Sequence, residues 1–464
     1  MYIITSIKRE YQKNRYSAIP DCTSLPPVQF ESNTEFKLMD KIEIDENCLD
    51  IKKIDGSADE IIYEKAINSR IRMLNLGANA KISKEENARF KGSKKIIEEL
   101  KKASKLLARK LIANAPIIVR FHNDGDGASG AIALYQAFKE IEAKNIASGI
   151  QNTAWKINKK IAYTYDSFMD DKATVQGYSS TEKPCLFITD FGTTEESTEG
   201  ISAAKGIFDI IWIDHHPLYE GFGKIENGFY INSWNFGNDS NLTAGTLSCM
   251  LAEVMSGINT KDLKLASLIS DHSAYALPDQ KAEKLSVFLD YVTSLKQYSP
   301  ELLGKELNPK LMHEIINNEK KFMEIHTYAY NIMEDVIGVG MKHIKEYRVN
   351  GVKVNVLNFE HIAKLGVSYP PPGKFLSNLQ GRIESKYDAI TIMYYNYYVL
   401  IRISRGISNR VKILNIIADI KNESEYVLSG GGHNEAASIR CEKGHEKEVL
   451  ELLLKKIRDN LARI

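Results

Sequence analysis

The chain has 464 residues, of which 43% are hydrophobic and 26% charged, the profile of a soluble globular protein with two or three domains. Its formal net charge of +1 excludes a protein that grips nucleic acid through bulk basicity, so any such binding must use a local patch or groove. Cys22, Cys48, Cys185, Cys249 and Cys441 form no CxxC pair, which excludes a disulfide framework and a zinc ribbon and makes a reducing cytoplasm the expected location. The start of the chain lacks a signal-peptide core, and no run approaches the ~20 apolar residues of a membrane span.

Residues 1–85 are mixed, with a Pro-containing stretch from Ile19 to Val28 and short alternating runs, such as Lys41-Ile42-Glu43-Ile44-Asp45, that predict small strands. From Lys84 to Asn114 the pattern is helical. The segment KKIIEELKKASKLLARKLIA spaces apolar residues three and four apart, and its Lys and Arg positions read more readily as a solvated face than as a nucleic-acid contact. Three apolar runs follow, PIIVRFHNDGD, PCLFITDFG and FDIIWIDHH, separated by stretches long enough for crossover helices. Runs that are apolar throughout predict strands buried on both faces of a parallel sheet. Each ends in acidic or histidine residues, and in an α/β layer ligands bind beyond the carboxyl ends of the strands. A connecting helix is expected from Leu311 to Tyr347, then strands in VKVNVLNF, DAITIMYY and YYVLIRIS, and a final amphipathic helix from about Glu442 to Leu461. This tail reads as a second α/β domain.

Asp124 and Asp126 stand in a glycine-rich turn, HNDGDG, where two close carboxylates repel unless a cation lies between them. The glycines permit a tight turn, and the helix expected next offers backbone N–H groups to a phosphate. Asp214, His215 and His216 close an apolar strand, and three consecutive metal-capable side chains are costly to bury there without a ligand. Asp190 and Asp271 are single acids, either of which alone reads as a helix cap or loop acid. In company they give a mixed nitrogen and oxygen donor set that suits manganese or magnesium better than a closed zinc site. In SGGGH, consecutive Gly430, Gly431 and Gly432 let backbone approach a ligand, and His433 can donate to a phosphate. Arg402 and Arg405 have a spacing that sends them to opposite or mixed faces of a strand.

Taken in order, HNDGDG, ITDFG, IDHH, ISDHS and SGGGHNEAA resemble the motif series of the DHH phosphoesterases, and within them the RecJ-like nucleases of archaeal type, over roughly residues 90–464. The resemblance implies a parallel-sheet catalytic domain at 86–300, a helical linker at 301–348 and a substrate-binding α/β domain at 349–464, with 1–85 as an accessory region. It implies two Mn2+ ions, with Mg2+ as the alternative. Asp124 and Asp126 would contact one ion each and Asp190 both, His122 would join the first ion, and His215 and Asp271 would complete the shell of the second. Asp214 would support the site from behind, and His216 would face the scissile phosphate. His433 and its glycines would hold a substrate phosphate across the interdomain cleft, with Arg402 or Arg405 helping to guide the strand. Arg120 stands where small-substrate members carry histidine, which favours the RecJ-like branch. After His433 the sequence runs Asn-Glu-Ala-Ala-Ser, where the family shows Pro after the His and Gly after the two Ala.

The function implied is exonucleolytic hydrolysis of single-stranded DNA or RNA. A phosphodiesterase of short oligonucleotides or cyclic dinucleotides is the enzyme alternative, and a replication scaffold that binds the GINS complex is the non-enzyme one. A type II inorganic pyrophosphatase is disfavoured by the GGGH segment.

Overall fold

The computed structural model describes residues 1–9, 13–21, 25–44, 51–78, 84–144, 152–222, 228–295 and 304–462. Cys22, Cys48 and Asp45 lie outside the described residues; Cys185, Cys249 and Cys441 are buried thiols. Among the described residues, no helix is long and apolar enough to cross a membrane. The chain divides into two compact units, one of residues 1–289 and 297–318, the other of residues 290–296 and 319–464.

The first unit opens with five antiparallel strands, β1 (Tyr2–Arg9), β2 (Asn14–Pro20), β3 (Val28–Ser32), β4 (Asp40–Ile44) and β5 (Ile51–Ser57), in the order β3-β2-β1-β4-β5. Alternation sends Tyr2, Ile4, Tyr16, Ala18 and Ile42 to one side, where Tyr16 stacks on Phe30 and meets the edge of Phe36. Next come α1 (Glu60–Met73), α2 (Lys84–Arg89) and α3 (Ser93–Ile112). The single helical stretch expected over 84–114 is thus two helices, parted where Gly92 takes a left-handed φ of 64°.

The layer that follows contains β6 (Ile117–His122), α4 (Gly125–Ala143), β7 (Thr153–Asn158), α5 (Tyr165–Val175), β8 (Tyr178–Ser180), β9 (Cys185–Thr189), α6 (Thr198–Lys205), β10 (Asp209–Asp214) and β11 (Gly228–Asn232). The order β11-β10-β9-β6-β7 is parallel throughout, as the apolar runs predict. All five residues of β9 are buried, and α5 and α6 cover the face formed by Leu186, Ile188, Ile210 and Trp212. Each such side chain contributes about 1.5–3 kcal/mol by leaving water. From β6 the chain steps to β7 on one side, then returns to the other side of β6 for β9, β10 and β11. This reversal between β6 and β9 opens a crevice at their carboxyl ends. The unit closes with α7 (Ala244–Ser256), α8 (Lys261–Ser270), α9 (Gln280–Ser294), whose last residues are counted in the second unit, and α10 (Pro309–Ile316). Helices α4 and α7 pack tightly because Gly130 lets α7 approach: a Cβ there would sit 2.8 Å from the Ser248 Cβ.

Arg120 on β6 is buried, and its guanidinium pairs with Asp171 (2.7 Å) and Asp170 (2.6 Å) from α5. Asp171 is fully buried and also meets Lys156 at 3.0 Å. Arg120→Met should therefore cost about 3 kcal/mol in urea unfolding, because it leaves a buried carboxylate with one cation instead of two.

The second unit holds α11 (Glu319–His343), β12 (Lys345–Val349), β13 (Val352–Asn358), α12 (Glu360–Ala363), α13 (Pro372–Glu384), β14 (Ala389–Tyr395), β15 (Tyr398–Ile403), α14 (Arg405–Val411), α15 (Ile413–Glu423), β16 (Val427–Gly432), β17 (Ala436–Cys441) and α16 (Glu446–Ala462). Its sheet runs β12-β13-β14-β15-β17-β16, parallel between β13 and β14 and antiparallel elsewhere. The helix expected over 311–347 is instead α10, a break, α11 and the start of β12. Asn317 ends α10, where its side-chain amide (2.9 Å) and its backbone N–H (3.1 Å) both donate to the His313 carbonyl.

Candidate metal centre

Each strand of the crevice delivers its acid at the point where regular pairing stops. β6 ends on His122, and Asp124 caps α4: its backbone is extended, and its Oδ1 accepts the Gly127 N–H at 3.1 Å. Gly127 is required there, since a Cβ would lie 2.6 Å from the His122 carbonyl oxygen. Asp126 follows in the first turn of α4. Asp190 comes directly after β9 with φ +68°, a left-handed conformation that costs a non-glycine residue free energy and that Asp tolerates better than most. Asp214 ends β10, with His215 and His216 just beyond, and Asp271 is the C-cap residue of α8. The plain cap reading of Asp271 is thus true of its backbone, while its side chain turns to the crevice.

These side chains converge. His122 Nδ1 lies 2.8 Å from Asp124 Oδ2 and 3.6 Å from Asp190 Oδ2. His215 Nε2 lies 3.3 Å from Asp190 Oδ1, 3.4 Å from Asp271 Oδ2 and 4.0 Å from Asp126 Oδ2. The two oxygens of Asp190 therefore face different histidines, Oδ2 toward the His122–Asp124 pair and Oδ1 toward His215, Asp126 and Asp271. His122, Asp124 and Asp190 form one cluster able to hold a cation, and Asp190, Asp214, His215 and His216 another. Both Asp190 Oδ2 and His215 Nε2 are buried without a hydrogen-bond partner, an arrangement that costs free energy unless a ligand occupies the gap.

The ring of His215 is oriented from behind. Its Nδ1–H donates to the Ser240 carbonyl at 2.7 Å, which leaves Nε2 as the nitrogen presented to the carboxylates. Its own carbonyl accepts from Ser240 Oγ (2.8 Å) and Trp234 Nε1 (3.0 Å). Asp214 Oδ1 accepts the N–H groups of His215 (2.7 Å) and His216 (3.0 Å) and the Nδ1–H of His216 (2.8 Å). The fully buried Asp214 is thus bonded to both histidines that follow it, while the His216 side chain is 43% exposed.

The electrostatics are those of crowded negative charge. Burial, reinforced by Asp190, raises the Asp126 carboxyl well above the usual range, with His215 pulling the other way. Burial and Asp124 together raise Asp190. Burial alone would lower both imidazoles, yet Asp124 and Asp190 hold His122 well above the usual histidine range, and Asp271, Asp190 and Asp126 do the same for His215. Asp214 differs: burial raises it, but His216 and His215 together hold it below the usual range. Positive charge is favoured throughout the crevice, and oxygen donors with two imidazoles fit a hard or borderline divalent cation.

Several contributing residues carry no motif. Asp126 Oδ2 accepts the Ala244 N–H (3.1 Å), and its Oδ1 accepts the Gly245 N–H (3.0 Å) and the Ser267 hydroxyl (2.5 Å). The N-terminus of α7 thus grips the carboxylate with backbone donors. Gly245, Ser267 and Ser240 are invisible to motif reading because they act through main chain or as lone small hydroxyls. The signal available is Thr243-Ala-Gly, a helix start with a capping Thr ahead of an apolar run.

The remaining expected residues belong to the second unit. Gly430, Gly431 and Gly432 form the end of β16, paired with β17, and not a flexible turn. Gly432 has φ +132°, and His433 turns the hairpin, its N–H donating to the Ala436 carbonyl at 2.8 Å. The Ala436 N–H donates back to the His433 carbonyl at 3.2 Å, which closes the turn. Arg402 lies on β15 and donates through Nε to Ser377 Oγ at 2.9 Å. Arg405 is not on that strand. β15 stops at Ile403, Arg405 begins α14, and its Nε lies 3.4 Å from Glu435 Oε1, so the strand-spacing argument does not apply to it.

Residues 116–274 match the model of the DHH family, N-terminal domain. Over 398 residues the chain is 25% identical to an uncharacterized protein of Methanocaldococcus jannaschii, a match that takes in 75% of this chain and 52% of the relative. The chain thus spans about half the length of that curated protein. Among solved structures, a DHH domain described as a member of the s1p family of ribosomal proteins superposes with a TM-score of 0.71 at 21% identity, covering 86% of this chain and 98% of that one. RecJ from Thermus thermophilus in complex with Mn2+ gives a TM-score of 0.49 at 14% identity, over 79% of this chain and 55% of that one.

Proposed function

This chain belongs to the DHH family, carrying its N-terminal domain over residues 116–274, and from that premise we propose that it is a metal-dependent phosphodiesterase, a RecJ-like exonuclease of single-stranded DNA or RNA. The observation that carries the reading is the convergence of His122, Asp124, Asp126, Asp190, His215 and Asp271, with the two oxygens of Asp190 facing separate donor groups. His122 and Asp124 would hold one cation, Asp126, His215 and Asp271 a second, and Asp190 would be shared. Manganese or magnesium there supplies charge that activates a water and steadies the phosphate and the departing oxygen.

The chain's own residues do the rest. Ser240 fixes the tautomer of His215, and the α7 N-terminus fixes Asp126. Asp214 holds His216 by Nδ1 and so sets the direction of its ring, with Nε2 left to meet a phosphate oxygen. His433, Gly430, Gly431, Gly432, Arg402 and Arg405 are proposed as the grip on the strand's phosphates.

The test uses end-labelled DNA and RNA strands with manganese, and progressive shortening of one or both is expected. Independently of turnover, manganese at ~100 times its Kd should stabilise the protein by about 2.7 kcal/mol per site, read as a rise in Tm that chelator reverses. If no cleavage and no manganese-dependent rise in Tm are seen, the enzyme reading is sunk and a scaffold that binds protein partners such as GINS is left.

A further inference from the structure

The first unit carries a recess of about 540 Å3 lined by Ala88, Phe90, Lys91, Lys94, Lys95 and Phe236, among others. All three lysines are exposed, and among the described residues none has a carboxylate within ion-pair distance, unlike Lys102 on the same helix, which pairs with Glu99 at 2.6 Å. In a chain of net charge +1, three ammonium groups left around one concavity mark it for an anion. Its walls are set close together: Gly92, left-handed at φ +64°, faces Phe236, and a Cβ there would lie 2.9 Å from the Phe236 carbonyl oxygen.

One loop ties this recess to the metal centre. Asn238 clamps Lys91 from both sides, accepting its N–H at 2.9 Å and donating to its carbonyl at 2.8 Å. Two residues later, Ser240 orients His215 through the bonds described above. Between Asn232 and Asn238 the same loop presents Trp234, 46% exposed, with its Nε1–H on the His215 carbonyl. The 232–240 loop thus touches Lys91 at one point and His215 at two others.

We infer that this recess binds a backbone phosphate of a single-stranded nucleic acid, at least one nucleotide removed from the linkage being hydrolysed. Lys91, Lys94 and Lys95 neutralise that phosphate, and Trp234 offers a face on which a base stacks. The inference rests on the phosphodiesterase reading and adds a consequence: the enzyme favours strands long enough to reach the recess over a single diester.

The experiment compares the full chain with its Lys91→Ala, Lys94→Ala, Lys95→Ala variant. Binding of a fluorescein-labelled oligothymidylate of about 20 nucleotides, longer than one single-strand site, is measured in chelator at several salt concentrations. With manganese, kcat/KM for that strand is compared with kcat/KM for bis(p-nitrophenyl) phosphate. The variant should bind the strand at least ~10-fold more weakly, its salt slope should fall by about 0.7, the loss of one neutralised phosphate, and the ratio of the two kcat/KM values should drop ~10-fold as well. Lysine-to-arginine replacement at the same three positions should restore binding. Parental affinity and salt slope in the alanine variant, or equal losses on both substrates, overturn the inference. Failure of the parent to hydrolyse either substrate sinks the phosphodiesterase reading instead. Hydrolysis of the small diester without strand binding sinks the recess alone.

Discussion

Replacing Asp190 by Ala is expected to reduce manganese-dependent hydrolysis by ~10³-fold or more, equivalent to about 4 kcal/mol on the barrier. The size follows from its position, since removing it strips an oxygen from each of the two donor groups at once. Asp190→Asn sharpens the test, because Asn tolerates the left-handed backbone as Asp does while losing the charge. Burial and Asp124 raise the pKa of this carboxyl, so its ionised form opposes folding above its ordinary range when no cation is bound. Asp190→Asn should therefore leave the Tm in chelator equal to or above that of the parent, yet abolish the rise on adding manganese. A variant that is merely misfolded would lower both. Retained hydrolysis in Asp190→Ala would remove the shared-ligand assignment.

Gly245→Ala should be nearly as damaging, although Gly245 is not proposed to touch a cation or substrate. A Cβ there would lie 2.2 Å from the Asp126 carbonyl oxygen and 2.7 Å from its Oδ1, far inside contact distance, so Asp126 or the start of α7 must move. We expect about 1–3 kcal/mol of destabilisation from overpacking, and a loss of kcat of ~10²-fold from a misplaced carboxylate. Gly338→Ala in α11 is the matched control: nothing lies within 4 Å of its Cβ position, and it should stabilise by roughly 0.5–1 kcal/mol through helix propensity. Equal behaviour of the two variants would show that the contact between α7 and Asp126 is not critical.

These variants also mark how far the sequence can be read. The three apolar runs predict the parallel sheet because strands buried on both faces have no alternation to hide, and their terminal acids and histidines lie at one edge because parallel strands all end there. Asp124, Asp126, Asp190 and His215 follow the ends of such runs, whereas Asp271 caps α8, and it and His122 join the proposed set only through the order of motifs. Gly245, Ser240 and Ser267 are not, since a backbone donor or one small hydroxyl leaves no compositional trace. The division of the Leu311–Tyr347 stretch is hidden because apolar spacing alone registers neither the side-chain bond of Asn317 nor a strand that starts within two residues of a helix. Arg405 escapes the strand pattern because helix α14 begins where alternation would have to continue.

The pairing of β1 bears on where this polypeptide can be cut. Ser6, Ile7 and Lys8 pair with Ser180, Ser179 and Tyr178 of β8, while Tyr2 and Ile3 pair with β4, so the opening strand is woven into both the amino-terminal sheet and a segment more than a hundred residues downstream. Ile3 and Ile19 are buried, and Asn114 beside β6 hydrogen-bonds Ser17. Trimming the first fifty-seven residues would strip β8 of its neighbour and bare greasy surface on what remains, a recipe for aggregation. The leading segment is a cornerstone of the first unit, tied to it by backbone pairing and burial.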